Sequence, residues 1–220
     1  NPIEMGMPDE AAVLSRLEEA GYADEFKAVF ADQVNPLTYD NYAEAVAAFE
    51  RTLITKDRFD DFLKGDEDAI PDPAKKGLAL FMEIGCAECH QGALLGGDRY
   101  EKMGDANAYA DTKDTGRYEV TKKDEDKYVF KVPSLRNIAL TGPYFHDGKV
   151  ARLGAAVQQM AHLQLDMQLE REQVMQITAF LRTLTDKKLA RANARKRPKQ
   201  APADERPAGK GKRKRTATEE

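Results

Sequence analysis

The residues whose types and spacing most sharply specify a chemistry are five in a row, Cys86-Ala87-Glu88-Cys89-His90, in a chain of 220 residues. Two thiols three positions apart can each add to a vinyl group of a porphyrin, and an imidazole at the next position can take the iron from the proximal face. C-x-x-C-H is therefore the attachment pattern of a c-type haem. Cys86 and Cys89 are the only 2 cysteines present. A structural zinc site asks for four Cys or His ligands, usually in two spaced pairs, and a thioredoxin-like C-x-x-C sits between a strand and a helix. Neither context is visible, so the pattern predicts one covalent haem on Cys86 and Cys89, with His90 as an axial ligand.

The opposite axial position asks for a thioether or a second imidazole. Besides His90 the chain has His146 and His162, and it has 7 methionines. Met160 and His162 fall in one predicted helix and His146 in the turn-rich segment before it, so on chemistry alone the three are rivals. A methionine at helical spacing also reads simply as core filler.

The elements that must position these residues read as helices. Asp9 caps a pattern carrying Val13, Leu14 and Leu17; a short one spans 22–30; and 38–53 places Tyr42, Val46, Phe49 and Leu53 on one face. A linker at 65–71 follows. Asp72-Pro73 reads as a helix start, with Leu78, Phe81 and Ile84 leading to the haem motif. The stretch 92–129 is long and polar, a loop by composition. Two further helices are expected at 151–163 and 170–184. No alternating pattern argues for a sheet, so the fold class expected is all-α: a c-type cytochrome fold with long loops (71–185), preceded by a small helical unit (1–70) and followed by a tail (186–220).

Charge separates the tail from the rest. From Asp186 onward there are 13 Lys or Arg against 5 Asp or Glu, whereas the preceding residues hold 21 against 33. With Leu189 its only large aliphatic residue, the tail is expected to be disordered, since it has too little apolar surface to offset ordering entropy. Its Lys212-Arg213-Lys214-Arg215 run could touch an anionic surface, but a solvated tail is the reading adopted, and no nucleic acid partner is expected. No apolar run is long enough to span a membrane. The chain opens Asn1-Pro2-Ile3 with neither an initiator Met nor a signal-peptide pattern, which reads as a processed product or a fragment.

Several motifs occur together in order: Lys131-Val132-Pro133-Ser134-Leu135-Arg136-Asn137, then Thr141-Gly142-Pro143-Tyr144-Phe145-His146-Asp147-Gly148, then Met160 fourteen positions after His146. Over nearly all of residues 1–185 the chain resembles the C-terminal haem domain of the bacterial dihaem cytochrome c peroxidases, the family that includes the MauG-like proteins. The resemblance implies a high-potential, electron-accepting haem with His90 and Met160 as axial ligands. The MauG branch has a tyrosine in place of that methionine, so Met160 favours the peroxidase branch. Asn1-Pro2-Ile3-Glu4-Met5-Gly6 resembles the segment that carries the distal acid/base glutamate, matched by Glu4, which on its own reads as a solvated carboxylate. Thr141 and Pro143 match positions whose backbone carbonyls hold calcium, an ion suited to oxygen donors.

What the family has and this chain lacks is a preceding domain with its own C-x-x-C-H, and there is no tryptophan. The resemblance thus implies half of an enzyme that reduces hydrogen peroxide to water. Electrons would come from a small cytochrome c or cupredoxin, a second haem would sit in the missing N-terminal domain, and the complete protein would be a periplasmic homodimer. The alternatives are a stand-alone monohaem electron-transfer cytochrome and a MauG-like oxidase partner.

Overall fold

The computed structural model describes residues 6–196, with side chains described to Ala192. Its backbone forms two compact units divided between Ile54 and Thr55, not at the 70/71 boundary expected from the sequence. Residues 55–70 join the haem-motif unit because Phe59 and Ile70 are buried in it.

The first unit contains α1 (Glu10–Glu19), α2 (Ala23–Val29) and α3 (Tyr39–Glu50). Its helices start where short polar side chains satisfy open backbone N–H groups: Asp9 accepts from Ala12 N at 2.8 Å and Thr38 Oγ1 from Asn41 N at 3.2 Å. Inside, Phe26 stacks near Phe30 with ring centroids 5.9 Å apart. The Asn41 amide donates to Gln33 Oε1 and to Pro36 O, both at 2.7 Å. Phe26 and Asn41 are the buried residues among those described in this unit. The apolar face of α3 exists as the spacing predicts, but within the unit it is bare: Phe49 is 63% and Leu53 64% exposed.

The second unit is built on a helix crossing. α5 (Asp72–Glu83) packs closely on α9 (Arg171–Thr183), and α8 (Leu153–Leu165) packs on α9. The approach is close because Gly77 has no side chain; a Cβ there would lie 1.9 Å from Gln176 O. Around the crossing, Phe180 meets Phe59 edge-on at 5.2 Å and Phe81 at 5.3 Å, and Ile177, Leu181 and Leu184 join them in the buried cluster. Phe59 belongs to α4 (Arg58–Leu63), whose start carries a reciprocal capping box between Asp57 and Asp60.

Several sequence expectations need correction. α5 is capped at Pro71, one residue before the position expected. The 65–71 linker contains a 3-10 turn at Glu67–Ala69. The long loop contains α7 (Tyr118–Thr121) and a small antiparallel sheet in which β1 (Tyr100–Lys102) pairs with β2 (Val129–Lys131) in the register Tyr100–Lys131, Glu101–Phe130, Lys102–Val129. Three-residue strands are too short for alternation to register in a sequence.

The expected disordered tail begins instead with α10 (Lys187–Lys196). Asp186 Oδ1 accepts from Lys188 N at 2.8 Å and Leu189 N at 3.1 Å, and its Oδ2 from Lys56 N at 3.0 Å. The Lys187 ammonium pairs with Asp61. These caps and ties supply what apolar burial does not; the remainder of the tail lies outside the described residues. The described residues are mostly helical, with one small sheet among them, and no described helix is long and apolar enough to cross a membrane.

Candidate haem site

After α5, Gly85 turns the chain through a left-handed conformation, φ 94°, into the short helix α6 (Cys86–Cys89). His90 N then closes the turn on Cys86 O at 3.0 Å. Cys86, Cys89 and His90 line a cavity of about 440 Å³, walled largely by apolar side chains that include Leu135, Ile138, Tyr144, Leu153 and Val157. Such a volume is within the range of cofactor pockets.

The donor chemistry suits a haem. Burial pushes the Cys86 thiol up to about 11, with the neighbouring Cys89 adding to it. Cys89 is also raised, by burial first and then by Glu101. Both are therefore thiols at neutral pH, without the depressed value that a thiol–disulfide catalyst needs. Burial lowers the pKa of His90, against the opposing effect of hydrogen bonds to the Leu95 and Pro133 carbonyls. Its Nδ1 lies 3.3 Å from Leu95 O. A carbonyl can only accept, so Nδ1 carries the proton and Nε2 is left as the free donor for a metal. Gly96, at φ 117°, makes this approach possible, since a Cβ there would be 2.4 Å from Pro133 O and 3.3 Å from His90 Nδ1.

Of the rivals for the opposite ligand, Met160 on α8 and His146 both line the cavity, and His162 does not. The His146 ring is stacked on Phe130 at 4.1 Å and 15°, with Tyr109 edge-on at 5.3 Å. His162 offers its carbonyl to the Asn107 amide at 2.9 Å. Thr141 and Pro143 flank the same cavity, beside the cis Gly142–Pro143 bond. Among the described residues no three His, Cys, Asp or Glu side chains gather as a metal site. Glu4 lies outside the described residues.

Sequence reasoning missed the supports of this site. Phe130 and Tyr109 flank His146, and the Tyr109 hydroxyl donates to Asp147 at 3.0 and 3.1 Å. Burial, together with that bond, pushes the Tyr109 hydroxyl up to about 12. The paired glycines Gly96-Gly97 were the one sequence signal that the backbone turns sharply beside His90.

Residues 1–68 match the family model described as di-haem cytochrome c peroxidase. The chain is 43% identical over 188 residues to the cytochrome c551 peroxidase of Nitrosomonas europaea, covering 84% of this chain and 55% of that protein. It is 45% identical over 172 residues to the cytochrome c551 peroxidase of Pseudomonas aeruginosa, covering 76% and 49%. The methylamine utilization protein MauG of Methylorubrum extorquens is 35% identical over 158 residues, covering 71% and 44%. A crystal structure of a MauG-like protein associated with microbial copper homeostasis superposes with a TM-score of 0.69 at 25% identity, covering 82% of this chain and 63% of that one. The chain spans about half the length of the curated relatives it matches. With the haem motif, the helical fold and these likenesses in agreement, the chain belongs to the dihaem cytochrome c peroxidase and MauG-related family.

Proposed function

We propose that this chain is the electron-accepting haem part of a cytochrome c peroxidase that reduces hydrogen peroxide to water. The observation that carries the reading is a single apolar cavity lined by Cys86, Cys89, His90 and Met160. Cys86 and Cys89 would hold the haem through thioethers, and His90 and Met160 would ligate the iron. Bound there, the haem supplies a one-electron ferric/ferrous couple, which thioether ligation holds at a higher potential than a bis-histidine site would. His90 presents Nε2 in a fixed tautomer, and the apolar walls exclude water from the ligands.

With Met160 as well as His90 holding the iron, this cavity would leave no place for peroxide. Peroxide chemistry belongs to a second haem in a preceding domain, with Glu4 as the acid/base there. The peroxidase names of the relatives support this reading. Electrons arrive from a small cytochrome c or cupredoxin. The carbonyls of Thr141 and Pro143 contribute to a calcium shell completed by the other domain, and the whole is a periplasmic homodimer.

Two measurements test this. The ferric chain should show the weak sulfur-to-iron charge-transfer band, and Met160→Ala should abolish it; a band retained in the variant overturns the ligand assignment. Peroxide reduction with a reduced cytochrome donor should be negligible for the chain alone and should appear when a second haem domain is added in trans. Rapid turnover by the chain alone overturns the division of labour.

A further inference from the structure

Residues 134–136 meet residues 93–95 carbonyl by carbonyl. Arg136 donates to Ala93 O through Nε at 3.0 Å and through a terminal nitrogen at 2.9 Å. Ser134 Oγ donates to Leu94 O at 2.8 Å. Leu135 N lies 3.3 Å from both Leu94 O and Leu95 O. Leu95 O is also the acceptor that lies 3.3 Å from His90 Nδ1. The loop that carries Leu95 O, which shares the haem-motif histidine with Pro133 O, is thus held at three successive carbonyls.

Two features indicate that this hold is needed. Leu95 is buried at φ 49°, a left-handed conformation that strains a non-glycine residue and persists only where its surroundings over-determine it. Arg136 is itself fixed from behind. Its side chain is 12% exposed, it pairs with the fully buried Asp57, and a terminal nitrogen lies 2.9 Å from Asp60 Oδ1. A planar guanidinium can serve a carbonyl twice and two carboxylates at once, whereas an ammonium is a single point charge.

We propose that Arg136, backed by Asp57 and assisted by Ser134, is a positioning residue that aims the Leu95 carbonyl at His90 and so sets how strongly the imidazole donates to the iron. The proposal rests on the reading of His90 as a haem ligand. A carbonyl accepting from Nδ1–H raises the basicity of Nε2. That favours the ferric state, so loosening the carbonyl raises the reduction potential. A clamp that only stabilised the fold would lower the melting temperature and leave the potential alone.

The test uses the chain matured in a host that attaches c-type haem. A wild-type mass without haem, or Nε2 not bound to iron, counts against the underlying reading and is seen before any variant is made. With the haem in place, Arg136→Lys is expected to raise the midpoint potential and to speed exchange of the His90 Nδ1 proton in the ferrous protein. Ser134→Ala should move both quantities in the same direction by less, with the sulfur-to-iron band retained in both variants. An Arg136→Lys protein that melts earlier but keeps the wild-type potential and exchange rate overturns the proposal. If Arg136→Lys does not fold, Ser134→Ala decides alone, and wild-type values for both readouts overturn it.

Discussion

The two units are built by different means. The second unit holds a buried cluster in which Phe59, Phe81 and Phe180 meet across α4, α5 and α9. The first unit, among its described residues, buries only Phe26 and Asn41 and leaves Val34, Phe49, Leu53 and Ile54 in the open. Burial of apolar surface is the main favourable term in folding. The first unit's order therefore rests on caps and local hydrogen bonds, while the second rests on packing. A helical unit with a thin core and a bare apolar face is suited to pack on something else, whereas one with a full core and an apolar cavity is suited to hold a cofactor.

Truncating the second unit's core should have the largest effect. Phe180 has no exposed surface and touches two aromatic rings. Phe180→Ala should cost about 3–5 kcal/mol through lost transfer energy and the cavity left behind. Denaturant unfolding followed by far-ultraviolet circular dichroism would measure it. A loss below about 1 kcal/mol would mean that the unit does not depend on this core.

The same contrast explains what the sequence revealed. α1, α3, α5, α8 and α9 lie within two or three residues of their expected bounds, because apolar periodicity and caps such as Asp9 and Thr38 are local properties. The division at 54/55 was not legible, since it depends on Phe59 joining a core whose Phe180 lies more than a hundred positions away. The Asp57/Asp60 capping box was a local clue to α4 that the reading passed over. At the site, spacing singled out Cys86, Cys89 and His90, and the fold brings the three to one cavity. Among the rivals for the opposite position, the fold sets His162 apart from the cavity and leaves both Met160 and His146 on its lining, a placement that spacing alone does not carry. The Leu95 carbonyl was invisible in principle, since any residue supplies a carbonyl and only the fold decides where it points.

A smaller effect is expected at α10, where caps stand in for a core. The Asp186 carboxylate is held below its usual value of 3.8, chiefly by the Lys56 N–H and then by the Leu189 N–H. The native state thus favours the charged form. The stability it contributes is present above pH 3.8 and is lost as the pH falls through the lower folded value. Asp186→Ala should cost about 1 kcal/mol at pH 7, as other lost caps do, and should flatten the acid limb of a stability–pH profile. An unchanged limb in the variant would show that α10 does not depend on this carboxylate.

The smallest effect on stability, and the one that most sharpens the comparison, is expected at Phe49. Its ring is 63% exposed, so Phe49→Glu removes little packing and should change the unfolding free energy of the chain by no more than about 0.5 kcal/mol. A bare aromatic beside Leu53 and Ile54 has a different value if a second haem domain covers it, because a desolvated aromatic anchor commonly carries much of an interface. Burying a glutamate in its place leaves an unpaired charge, which is costly. Phe49→Glu should therefore leave the melting curve of the chain unchanged while weakening its association with a separately produced haem domain by tenfold or more, about 1.4 kcal/mol. Titration calorimetry between the two pieces, beside thermal melts of the chain alone, separates these quantities. An unaltered affinity would mean that this face is solvated in the larger assembly. A large drop in the melting temperature would mean that the first unit is held by packing after all.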